Sequence, residues 1–95
     1  MTTNDDLNAR IRATARVLME FGAREVYVFG SAAKGRLRDD SDVDMAVVGL
    51  PPERFFLAMG RAGQAIDRPF DLVDLDEATA FTRYLRDEGE LVRVG

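Results

Sequence analysis

The chain has 95 residues and a formal net charge of −4, with 46% hydrophobic and 32% charged residues, so it is globular rather than disordered and fits one small domain over residues 1–95. It contains neither cysteine nor histidine, which excludes disulfides, Cys/His zinc sites, thiol nucleophiles and Ser-His-Asp triads and leaves only oxygen ligands for any metal. The acidic balance argues against direct binding of nucleic acid or an anionic membrane, and with no long apolar run and no basic-then-apolar leader the chain is expected to be soluble and cytoplasmic.

Asn4 followed by Asp5 and Asp6 predicts a helix start, since Asn caps well and acids suit the positive end of the helix dipole. Leu7, Ile11, Leu18 and Phe21 recur at helical spacing, and Gly22 is the expected stop. Glu25 to Phe29 is β-branched and aromatic and predicts a short buried strand. Ser31 to Lys34 is a short turn or helix start closed by Gly35, and Arg36 to Ser41 is a charged loop. From Asp42 to Val48 the chain alternates, with Val43, Met45 and Val47 on one side and Asp42, Asp44 and Ala46 on the other. Pro51 and Pro52 break that strand and open a helix whose inner face is marked by Phe55, Phe56, Met59, Ala62 and Ile66. Adjacent helical residues diverge by about 100°, so one of the two phenylalanines could instead face a partner. Phe70 to Val73 predicts a third strand. Asp74 or Asp76 would then cap a helix through Ala78, Phe81 and Leu85, and Leu91 to Val94 a last strand. The pattern is that of an α/β (α+β) fold, a short mixed sheet flanked by helices.

Asp42 and Asp44 project from one face of a strand whose other face is apolar, with Cα atoms roughly 6.5–7 Å apart. Two such charges repel unless a cation lies between them, and carboxylate oxygens suit magnesium, which shares its shell with substrate phosphates. The same residues would also fit a turn closed by Ser41 and Asp42 with Asp44 merely exposed. Gly30-Ser31 follows directly on the first strand, where glycine lets a phosphate approach the backbone and the hydroxyl can donate; Lys34, Arg36 and Arg38 could balance a polyphosphate. An ordinary strand-to-helix turn would fit there too. A third carboxylate comes from Asp71 or Asp74, which alternation puts on opposite faces. Asp71 is preferred, because it lies between apolar neighbours and Asp74 is placed to cap a helix. Three carboxylates on two strands can hold two magnesium ions for phosphoryl transfer, with Asp71 as base.

Gly30-Ser31-Ala32-Ala33-Lys34-Gly35, then five residues, then Ser41-Asp42-Val43-Asp44-Met45 resembles the signature of the polymerase-β-like nucleotidyltransferases. The short length, the Phe70-Asp71-Leu72-Val73 strand and the ending Arg86-Asp87-Glu88-Gly89-Glu90-Leu91 resemble the minimal nucleotidyltransferases in particular, so that the likeness covers about residues 5 to 93. Lys34 stands where that group usually carries arginine, keeping the charge and losing the bidentate fork. The resemblance implies ATP and Mg²⁺, and transfer of AMP to a hydroxyl. It assigns Gly30 and Ser31 to phosphate, Asp42 and Asp44 to metal, and Asp71 to the completed triad. It also implies an antitoxin role beside a helical HEPN toxin, a ribonuclease adenylylated on tyrosine. The alternative expectation is a catalytically weak antitoxin that neutralises by forming a complex.

Overall fold

The computed structural model describes residues 3–35 and 42–95, with side chains from residue 6 onward; Arg36, Arg38 and Ser41 lie outside the described residues, and the helix expected to be capped by Asn4 already runs from Thr3, so Asn4 lies within it. The first helix, α1, is Thr3–Glu20, and its buried stripe is Leu7, Ile11, Thr14, Ala15 and Leu18. It ends as the glycine predicts. Gly22 adopts φ +118°, its N–H donates to the Met19 carbonyl at 3.0 Å, and the Ala23 N–H donates to the Leu18 carbonyl at 3.1 Å. These two bonds satisfy carbonyls that the last turn would otherwise leave open, and the buried Leu18 and Ala23 side chains close the motif.

Strand β1 is Glu25–Phe29 and β2 is Val43–Val48. A 3₁₀ turn at Pro52–Arg54 leads into α2, Phe55–Ile66, followed by β3, Phe70–Asp74, α3, Ala80–Asp87, and β4, Val92–Arg93. The four strands form one mixed sheet in the order β3-β2-β1-β4. β1 pairs antiparallel with β2 and β4, while β2 pairs in parallel with β3, a connection that requires the α2 crossover.

Alternation along β2 separates two layers. Val43, Met45 and Val47 are fully buried against α1 and α2, joined by Val26 and Val28 of β1 and by Ala58, Ala62 and Ile66 of α2. On the opposite face a smaller cluster of Phe29, Ala46, Leu75 and Leu85 lies under α3. That face is only partly covered, and it is the face that carries Asp44.

Two of these expectations change. Phe56 does not belong to the inner face of α2: it is 81% exposed, and the stripe runs through Ala58 instead, with Phe55 and Met59 packed at its margin. One turn of helix cannot bury two adjacent rings against a single core. The helix α3 is capped neither by Asp74 nor by Asp76, and it starts after Ala78. Thr79 is the cap, accepting from the Thr82 N–H at 3.1 Å, while the Thr82 hydroxyl accepts from the Thr79 N–H at 3.0 Å. The Asp76 carboxylate is taken by the Gly49 N–H at 2.7 Å, and Asp74 accepts from the Asp76 N–H at 2.9 Å. Of the two options for Ser31 to Lys34, the structure takes the turn, closed by Gly35 as expected, with Gly30 at φ +64° and Gly35 at φ +66°.

Candidate active site

Asp44 sits at the start of β2, directly beside the end of β1, where it pairs with Phe29. On its other side it pairs with Asp71 of β3. Residues paired across neighbouring strands point to the same face, so the parallel register delivers the two carboxylates side by side, as the Asp71 reading requires. Asp42 lies just before β2 and is exposed. Its charge and that of Asp71 both act on Asp44. Asp71 differs from expectation in one respect: it is exposed, because β3 lies at the edge of the sheet, so no burial cost compels it to find a partner. Asp74 turns its carboxylate to the Asp76 backbone and stays out of the group.

The chain reverses out of β1 through Gly30. At φ +64° this position favours glycine, and a Cβ there would meet the Asp44 Oδ2 at 2.6 Å. The missing side chain is thus what lets the carboxylate lie against the turn. Ala32 and Ala33 pack on the main core and anchor the turn, leaving Ser31 and Lys34 exposed. Of the predicted phosphate contacts, the structure brings Gly30 and Lys34 together in one groove and leaves Ser31 outside it.

Two grooves meet at this point. One, of about 340 Å³, holds Asp44 and Asp71 between Met59, Phe70 and Phe81. The other, of about 350 Å³, runs from Gly30 and Lys34 to Phe81 and Tyr84 of α3. They share Phe29 and Phe81, whose rings meet edge to face with centroids 6.1 Å apart. The sequence reading missed both aromatic walls. Phe81 enters the sequence reading only as a position of the last helix, with no site role, and it is 50% exposed. Its apolar exposure beside acidic residues is visible only once β1 and α3 are placed together.

Burial, then the Asp71 charge and then the Asp42 charge, push the Asp44 carboxyl above its ordinary value. The donor set is therefore an oxygen-only cluster whose charges conflict, which is the chemistry a divalent cation relieves. Among the described residues no three acidic side chains already stand in ligating arrangement. In type and face the residues fit magnesium: all donors are carboxylate oxygens, Asp44 and Asp71 stand side by side in the parallel register, and the charge of Asp42 acts on Asp44. A raised carboxyl stabilises the fold fully below the ordinary value of about 3.9, and that stability is lost as pH rises through the raised value. In metal-free protein at pH 7, Asp44→Asn is thus expected to raise the melting temperature, by about 4–8 °C for each kcal/mol of repulsion relieved. The gain should shrink toward pH 4. Thermal unfolding followed by circular dichroism measures it, and a lower melting temperature at pH 7 would contradict it.

Residues 10–93 match the family described as polymerase beta, nucleotidyltransferase. Over 48 residues the chain is 42% identical to the protein adenylyltransferase MntA of Thermococcus cleftensis, covering 50% of this chain and 48% of that protein, so the match spans about half of that relative's length. A solved structure described as a minimal nucleotidyltransferase superimposes with a TM-score of 0.70 at 28% identity, covering 93% of this chain and 94% of that one. A chain from the complex of a tri-AMPylated Shewanella oneidensis HEPN toxin with MNT antitoxin matches at a TM-score of 0.64 and 19% identity, over 98% of this chain and 72% of that one; it shares the fold. The match over residues 10–93 takes in the glycine turn and both carboxylate strands, and with it the chain belongs to the polymerase-β-like nucleotidyltransferase family.

Proposed function

We propose that residues 1–95 form one nucleotidyltransferase domain that moves AMP from ATP to a tyrosine hydroxyl of a HEPN-type toxin, and so serves as its antitoxin. The observation that carries this reading is the side-by-side pairing of Asp44 with Asp71, with Asp42 acting on the same carboxylate. The MntA relative and the AMPylated toxin complex support the choice of AMP and of a protein acceptor.

Asp42, Asp44 and Asp71 would hold Mg²⁺, two ions in the fullest arrangement. When bound, the metal offsets phosphate charge and makes the attacking hydroxyl easier to deprotonate. The residues of the chain do the remainder. Gly30 gives the phosphates access to the backbone and Lys34, in the same groove, supplies positive charge; Ser31, outside that groove, and Arg36 would add further donors. The acceptor oxygen forms a bond to the α-phosphorus, the α–β phosphoanhydride breaks, and pyrophosphate leaves. Asp71, exposed at the sheet edge, accepts the hydroxyl proton.

The experiment incubates the chain with the HEPN protein encoded beside it, Mg²⁺ and ATP labelled on the α-phosphate. Label on a toxin tyrosine, with loss of ribonuclease activity, is the expected result. Neutralisation by a stable complex without label would replace transfer by the binding-module reading.

A further inference from the structure

We propose that the second groove binds the base of the nucleotide, with Tyr84 and Phe81 as its stacking surface. This rests on the nucleotidyltransferase reading above and specifies where the substrate lies. Phe81 and Tyr84 are three residues apart on α3 and so share one helix face, where they are 50% and 54% exposed. Two large, half-exposed rings side by side on one helix face form an apolar surface of the kind that marks a ligand or partner site.

The neighbourhood says what covers them. The groove is lined by Gly30 and Lys34 of the turn, by Phe81 and Tyr84 of α3, and by Glu88 and Glu90 just beyond that helix. It continues, across the shared Phe29–Phe81 contact, into the groove that holds Asp44 and Asp71. A nucleotide lying over that contact keeps its phosphates between the carboxylates and Lys34 and carries its base onto Tyr84. The groove volume of about 350 Å³ falls within the range of small-ligand sites, roughly 300–1,000 Å³. The edge-to-face contact with Phe29 supports one side of the Phe81 ring and leaves the rest of it open for stacking. Tyr84 is then a specificity-determining residue for nucleotide over bare polyphosphate.

The chain has two tyrosines and no tryptophan, so a Tyr27→Phe background leaves Tyr84 as the sole tyrosine emitter. Titration of the full chain with Mg²⁺–ATP is expected to quench that emission, while Mg²⁺–tripolyphosphate is not, after correction against free tyrosine. By calorimetry, Tyr84→Ala is expected to weaken ATP binding about tenfold and to leave tripolyphosphate binding within about twofold, whereas Tyr84→Phe keeps both. Unchanged ATP affinity in Tyr84→Ala, or equal weakening of ATP and tripolyphosphate, overturns the base site while the nucleotide reading stands. Failure of the unaltered chain to bind either ligand overturns both.

Discussion

Replacing Asp42 and Asp44 together by asparagine is expected to lower AMP transfer at least about 1,000-fold while leaving the protein folded. The amide keeps the size of each side chain and removes the charge that would hold the cation. Neither residue carries the core: Asp42 is exposed, and Asp44 faces away from the buried Val43, Met45 and Val47. Burial and two neighbouring carboxylates disfavour the ionised form of Asp44, so the variant should be at least as stable as the parent without metal at neutral pH. Transfer assays with labelled ATP, run beside thermal unfolding, separate the two effects. A large loss of metal-free stability would show instead that the pair is structural.

Gly30→Ala is the second variant with a large expected effect, and it acts without touching a charge. A left-handed conformation costs a non-glycine residue about 1–2 kcal/mol. The position requires that conformation, at φ +64°, and the new methyl would stand 2.6 Å from the Asp44 Oδ2. Either the carboxylate leaves its place or the turn does. A displacement on the order of 1 Å can cost about 100-fold in rate, so a 100-fold loss of transfer is expected, with a fall in melting temperature of roughly 4–16 °C. Activity within threefold of the parent would mean that the turn does not position Asp44.

How much of this could be read from the residues follows from the range of the interactions involved. The period-two pattern of β2 is local, and it correctly divided Val43, Met45 and Val47 from Asp44. The end of α1 was likewise readable, since Gly22 and Ala23 close it with bonds to residues three and five positions before them. Alternation puts Asp71 and Asp74 on opposite faces, but neither reason for preferring Asp71 holds: an edge strand leaves it in solvent, and Thr79, not Asp74, caps α3; the parallel register with Asp44 is what brings Asp71 to the group. The start of α3 was misplaced for a long-range reason: Gly49 claims the Asp76 carboxylate from 27 residues away. The turn after Gly30 could be taken for a helix start because only φ distinguishes the two, and glycines at both ends stop a helix from propagating. The aromatic wall of Phe81 and Tyr84 needed α3 docked on the sheet before its exposed side had any meaning.

The parallel pairing of β2 with β3 has a consequence for how the carboxylates come together during folding. Asp44 and Asp71 are 27 positions apart (71 − 44), and the chain between them includes α2, whose Ala58, Ala62 and Ile66 are sealed in the main core. No local hairpin can bring such strands into register; the whole crossover must close first. In rising urea the acidic pair therefore disperses together with the helix that bridges it, and no half-folded species retains the pair after the core has opened.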